Sequence, residues 1–199
     1  MRDLPPLYIL RHGQTAWNVE GRFQGRLDAP LTTLGRAQAA QQGRIIAAQI
    51  LPSPPEPAVR LSPLGRAQTT WHLAAAEANF NAPDVAVDEM LAEVHMGAWQ
   101  GCLRQDLLPE TATPADVFDA SVNTPGGETF AELHARLDTF LQRLTGPTIC
   151  VTHGIASLVL RGLARGLTRE QMAGQGYEQG VVYHLQDGQE RRLLPPGQI

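Results

Sequence analysis

Four short runs of aliphatic and β-branched residues punctuate the chain, at 7–10, 58–61, 85–87 and 148–151. Each is too short for a helix and is bounded by polar, Pro or Gly positions, so each predicts a buried strand. Between them the apolar positions recur at helical steps. Thr32 or Thr33 can cap a helix to about residue 50, with Leu34, Ala37, Ala40 and Ile45 on one face. PSPPEP at 52–57 predicts a loop. Ser62-Pro63 has the form of an N-cap followed by Pro at the first helical position, opening a helix to about residue 78. Residues 94–126 predict irregular chain with short helical pieces near Leu103 and Ala115. Glu128 opens a clearer helix, in which Phe130, Leu133, Leu137, Phe140, Leu141 and Leu144 form a stripe. A further helix starts at about Ile155. A late strand at 180–185 is expected at an edge, with 191–194 pairing to it, and the Pro-Pro-Gly tail is expected to fray.

Strands alternating with helices predict an α/β fold, a three-layer sandwich of a mostly parallel sheet with helices on both faces. No repeat or linker interrupts the pattern, so residues 1–199 read as a single domain.

Two predicted strands end alike. LYILRHG, at 7–13, and TICVTHG, at 148–154, both close on His-Gly. In α/β sheets ligands bind at the carboxyl ends of the strands. If the two strands are neighbours, His12 and His153 face one crevice, and Gly13 and Gly154 allow close approach of backbone or ligand. The helix after His153 is expected to aim its first N–H groups at the same crevice, favouring an anion there. Arg11 adjoins His12, and Arg66 falls in the first turn of the helix after the second strand. A cation there opposes the helix dipole, so stability alone does not explain it.

Composition narrows the partners. The net charge is −4, which gives no global signal for nucleic acid or an anionic membrane. No signal peptide or membrane-length apolar run is visible, and the two cysteines form no disulfide framework, which together place the chain in the cytoplasm. All 16 Lys+Arg residues are arginine, which excludes a Schiff-base lysine and a P-loop lysine. Any site for an anion must therefore use Arg, His or backbone N–H groups.

Three chemistries fit a histidine pair flanked by arginines. A metal site would need further ligands and would be repelled by Arg11. An acid–base pair would shuttle protons around a phosphodiester. A nucleophilic imidazole would carry a phosphoryl group while arginines neutralise its equatorial oxygens. Those arginines would also keep His12 neutral.

The stretch LYILRHGQTAWNVEGRFQGRLDAPLTTLGRAQA, followed in order by SPLGRAQTT, LAEVHMGAWQG, PGGET and CVTHG, resembles the histidine phosphatase superfamily, also called the phosphoglycerate mutase-like family. The resemblance spans nearly the whole chain. It implies that His12 is the nucleophile, that Arg11, Arg66 and His153 complete the phosphate pocket, and that Glu93 is the proton donor. It further implies phosphate contacts from Asn18 and the Gln24-Gly25 turn, and neither metal nor cofactor. A general acid must hold a proton while arginines beside it favour the carboxylate, so Glu93 is expected to become an acid once a phosphate dianion is bound.

Departures from the family pattern at Met96, Gln100, Ile155 and Gln179 fall around the pocket wall and bear on substrate. His95 is a secondary pocket candidate, Trp17 and Trp99 fit either a substrate wall or core packing, Arg22 and Arg26 read first as solvated loop residues that could also guide an anion, and Glu128 is expected to cap its own helix. His72, His134 and His184 read as ordinary helix or strand residues. A mutase needs extra cations to hold a bisphosphate, and residues 94–124 contain one basic residue, Arg104. The sequence therefore points to a phosphatase acting on a small phosphorylated metabolite. The alternatives are a cofactor-dependent phosphoglycerate mutase and a non-catalytic phospho-ligand binding module. The sequence specifies no oligomeric state.

Overall fold

The computed structural model of the chain describes residues 4–197. Its strands are β1 (Leu7–Arg11), β2 (Ala58–Leu61), β3 (Val85–Val87), β4 (Thr148–Thr152), β5 (Val182–Gln186) and β6 (Gln189–Leu193). The helices are α1 (Ala16–Val19), α2 (Thr33–Gln49), α3 (Gly65–Ala78), α4 (Pro114–Ser121), α5 (Phe130–Gln142), α6 (Gly154–Arg165) and α7 (Arg169–Ala173). The strands form one sheet in the order β3-β2-β4-β1-β5-β6. β3, β2, β4 and β1 are parallel, and β5 alone is reversed, pairing antiparallel with both β1 and β6.

Alternation along the strands feeds two cores. Tyr8 and Leu10 of β1, with Val59, Leu61, Ile149 and Val151, pack against Ile45 and Ile46 of α2 and Trp71 and Ala74 of α3. Leu7 and Ile9, with Cys150 and Tyr183, face the opposite core of Phe118, Leu133, Leu137, Phe140 and the apolar residues of α6. Helices thus cover both faces, as the alternation of elements predicts. Cys150 is a free, fully buried thiol, and burial pushes its ionisation upward.

Several boundaries differ from expectation for identifiable reasons. α3 begins at Gly65, not at Pro63, and its N-cap Leu64 makes no side-chain cap bond. The Ser62 hydroxyl, expected to cap it, accepts only the Leu64 N–H ahead of the helix and is also engaged by His153. α5 begins at Phe130, because Thr129 and Glu132 form a reciprocal capping box. Glu128 stays outside the helix. β5 is interior, and β6 supplies the edge. The tail is anchored further than its composition suggests: Gln49 Nε2 donates to the Leu194 carbonyl at 2.7 Å, and Pro195 is buried.

Candidate active site

Register brings the two histidines together. β1 and β4 pair in parallel with Arg11 opposite Thr152, so the next residues, His12 and His153, emerge side by side. The His12 N–H donates to the Thr152 carbonyl at 3.0 Å, and the two rings lie 5.2 Å apart between centroids, tilted by 54°. Parallel pairing alone would not do this. The strands must also end at the same level, which the matching apolar runs ensure.

The two glycines that follow serve different purposes. A Cβ on Gly13 would collide with the Gly35 carbonyl, because the loop after β1 packs backbone to backbone on the first turn of α2. A Cβ on Gly154 would make only ordinary contact with the Tyr177 ring and Arg11 Nε. The close backbone approach expected at both positions is therefore required at Gly13 alone.

His12 is 3% exposed and held in a defined tautomer. Its Nδ1 lies 2.8 Å from the Gly13 carbonyl, which can only accept, so Nδ1 carries the proton. Its Nε2 receives Arg66 Nε–H at 3.3 Å, a long contact that only an unprotonated nitrogen can accept. Burial first, then Arg66 and Arg11, push the His12 pKa well below the usual 6.5. The imidazole is neutral, with a lone pair on Nε2.

Arg66 is 2% exposed, so it is not a surface ion-pair residue. Its fork is fixed by the Gly25 carbonyl at 2.8 Å, the Leu27 carbonyl at 2.7 Å and Asp28 Oδ1 at 3.1 Å. Arg11 donates Nη1–H to the Tyr177 carbonyl at 2.7 Å, with its guanidinium 4.7 Å from the Tyr177 ring centroid. Its Nε is buried without a partner. Burial lowers the pKa of both arginines, and both remain cations.

Glu93 corrects one expectation. Its Oε1 accepts Val94 N–H at 3.0 Å and Ala156 N–H at 2.9 Å, and its Oε2 accepts Ile155 N–H at 3.1 Å. The Ile155 and Ala156 amides of α6, expected to serve an incoming anion, are thus occupied by this carboxylate, whereas Gly154, the first residue of the helix, lines the cavity. The helix N-terminus positions Glu93, and the arginines face the cavity.

The cavity itself is narrow, about 70 Å³, and is lined by Arg11, His12, Arg66, Glu93, Gly154 and Gly25 among others. It adjoins a groove of about 720 Å³ that shares Arg11, Asn18, Arg104 and Tyr177. Asn18 Oδ1 accepts Thr15 N–H and Gln179 Nε2–H, which leaves its Nδ2 for a ligand. Gln24 donates Nε2–H to Thr15 Oγ1 at 2.8 Å, and its Oε1 is buried without a partner. An anion contact from Gln24 can use the second Nε2–H, or Nε2 placed at the Oε1 position by an amide flip. Met96 and Ile155 line the wall, as their departure from the family pattern implies.

His153 keeps its place in the site, fully buried directly beside His12. Other candidates fall away. His95 accepts Gly97 N–H and lies off the cavity wall. Trp99 packs on Phe23, and neither Trp17 nor Arg26 lines the cavity. Arg22 does, although Glu20 pairs with its Nε. Glu128 neither caps α5 nor touches the cavity: it binds Arg136 and the His95 N–H, steadying the segment that carries Glu93. Sequence reasoning missed Tyr177, for which no local signal exists. It also missed the place of Arg104 on the wall, signalled only by its being the lone basic residue of its segment.

Fold and site together define an α/β protein whose parallel strands carry, at their carboxyl ends, a pocket lined by imidazole and guanidinium groups. The chain belongs to the histidine phosphatase superfamily (branch 1), whose family model matches residues 7–194. It is 32% identical over 208 residues to phosphoglycerate mutase-like protein 4 of Arabidopsis thaliana, covering 99% of this chain and 86% of that one. It is 31% identical over 195 residues to a metal-independent phosphoserine phosphatase of the same plant, covering 93% and 78%. Among solved structures it is similar to the alpha-ribazole phosphatase of Shigella flexneri, with a TM-score of 0.75, 25% identity and 96% of each chain covered. Relatives thus carry both phosphatase and mutase names. No helix among the described residues is long and apolar enough to cross a membrane.

Proposed function

We propose that the protein is a metal-independent phosphomonoesterase that hydrolyses a small phosphorylated metabolite through a phosphohistidine on His12. The observation that carries this reading is the state of that ring: neutral, buried, its proton fixed on Nδ1 by Gly13, and its Nε2 lone pair beside two cationic forks. A basic nitrogen held bare among cations suits attack on the phosphorus of a dianion. Arg66 Nε–H moves from Nε2 to a phosphoryl oxygen as substrate enters. Arg11, Arg66 and His153 then stabilise the equatorial oxygens as charge develops, with Asn18 and the Gln24-Gly25 turn adding donors.

Glu93 protonates the leaving alkoxide, whose remainder lies in the adjoining groove. It then takes a proton from the water that attacks the phosphohistidine. The N–H groups of Val94, Ile155 and Ala156 hold the carboxyl group in one place for both transfers.

Hydrolysis is favoured over transfer because Arg104 is the one basic residue at 94–124, too little charge to retain a bisphosphate. A phosphometabolite panel read by free phosphate tests the proposal. 3-Phosphoglycerate, assayed with and without 2,3-bisphosphoglycerate, separates the two reactions. Release of phosphate supports hydrolysis. Isomerisation without release replaces this reading with a mutase, and binding without any turnover replaces it with a non-catalytic module.

A further inference from the structure

Ser62 is the residue whose position departs most usefully from expectation. β2 pairs in parallel with β4, Leu61 opposite Val151, so Ser62 emerges beside the strand end that carries His153. The Ser62 N–H donates to the Val151 carbonyl at 3.0 Å, and its side chain is fully buried. Its Oγ lies 2.6 Å from His153 Nε2 and accepts Leu64 N–H at 3.3 Å. His153 Nδ1 is buried without a partner.

These contacts allow two proton arrangements, which differ in what they leave unpaired. If His153 Nε2 carries the proton, Ser62 Oγ accepts twice and its own hydrogen has no acceptor. His153 Nδ1 is then a second orphan, a lone pair. If Ser62 donates to Nε2, every group on Ser62 is used and one orphan remains, the His153 Nδ1–H. Each unpaired buried polar group costs on the order of 1–3 kcal/mol, so the second arrangement wins.

We infer that Ser62 is a positioning residue that fixes His153 as its Nδ1–H tautomer, so that the otherwise unpaired N–H of this ring donates to a phosphoryl oxygen. The inference rests on the phosphoryl-transfer reading of the pocket and extends it to the role of a serine outside the cavity wall. A neutral ring suits the task only in this tautomer, since the other would turn a lone pair toward an anion. Burial, followed by Arg66 and His12, holds the His153 pKa well below 6.5, so the ring is not an imidazolium with two donors. An N–H without a partner in the free protein also gains its hydrogen bond only when the anion arrives.

Two-dimensional long-range ¹H–¹⁵N spectra of the ¹⁵N-histidine protein test this directly, with His153 assigned from its loss in His153→Gln. The expected pattern has a protonated Nδ1 and an unprotonated Nε2, and orthovanadate shifts the Nδ1 proton downfield. In Ser62→Ala the Nδ1–H population falls. Orthovanadate affinity and kcat fall by about tenfold or more, the loss expected for one charge-assisted hydrogen bond, and Ser62→Thr restores both. A protonated Nε2 in the wild-type protein overturns the inference, as does a Ser62→Ala variant that loses stability while keeping the tautomer and the orthovanadate affinity. Protonated Nδ1 in a protein that hydrolyses no phosphomonoester would sink the proposed function and leave the tautomer standing.

Discussion

The neutrality of the histidine pair sets a pH dependence of folding with a definite sign. His12 and His153 are 3% and 0% exposed, and both are held well below 6.5, first by burial and then by neighbouring cations. In the unfolded chain each returns to about 6.5. As pH falls through that value the unfolded chain binds protons that the folded protein refuses, so stability is present above about pH 6.5 and is lost below it. Between about pH 7.5 and pH 5.5 the loss for one such group is bounded by RT ln 10, on the order of 1 kcal/mol. The pair together accounts for at most about 3 kcal/mol, a large fraction of the stability of an ordinary domain.

The measurement compares wild type with the double variant His12→Gln/His153→Gln by urea unfolding across that range, in buffers free of phosphate and sulfate. Carboxylates and the remaining histidines, including His184, are common to both proteins and drop out of the difference. The wild type should lose on the order of 1–3 kcal/mol relative to the variant as the pH falls, with unchanged m-values. A difference that stays flat, or a wild type that gains stability in acid, would refute the reasoning. It would mean that imidazolium forms in the folded protein, and a protonated His12 has no lone pair to attack with.

Other substitutions probe individual groups. His12→Ala should cut phosphate release on the order of 10⁴-fold or more and abolish acid-labile ³²P labelling while circular dichroism is unchanged, so substantial residual turnover removes His12 as nucleophile. Glu93→Gln should slow alkyl phosphates by about 10²- to 10⁴-fold but p-nitrophenyl phosphate much less, because that leaving group needs no proton; equal losses would exclude Glu93 as the acid. Arg66→Lys replaces a four-point fork by a single ammonium, and kcat/KM should fall on the order of 10²-fold; a near-wild-type value would show that charge alone suffices there. Gly13→Ala drives a methyl into the Gly35 carbonyl and should cost about 1–3 kcal/mol in urea unfolding, whereas Gly154→Ala should leave stability nearly unchanged.

Much of this site was legible because its residues sit where local patterns end. An apolar run stops, a histidine follows, and the strand-end rule supplies the location of both His12 and His153. Arg66 was legible for a related reason, as a cation placed against the helix dipole. Glu93 was legible only through family resemblance. It lies in irregular chain, and its partners are the amides of Ile155 and Ala156, far along the sequence. The misread positions share one cause. Ser62 and Glu128 both carry groups that suit a local cap, and in both the tertiary partner won: an imidazole nitrogen for Ser62, a guanidinium for Glu128. Tyr177 touches Arg11 through its backbone carbonyl and ring face, so nothing in its local sequence marks it.

The two His-Gly endings therefore differ in more than rank. In the first, the glycine carbonyl takes the Nδ1 proton of its own histidine, and the missing side chain admits the backbone of α2. What remains on that ring is a lone pair. In the second, the glycine is spatially relaxed, and the ring is oriented from another strand end by Ser62. What remains there, on the tautomer we infer, is an N–H. Two neutral imidazoles 5.2 Å apart would then offer a dianion opposite things, a base toward phosphorus and a donor toward oxygen. Neither role survives protonation of His12 or a tautomer change at His153. The same burial that makes the pair costly to protonate is what keeps the two roles distinct.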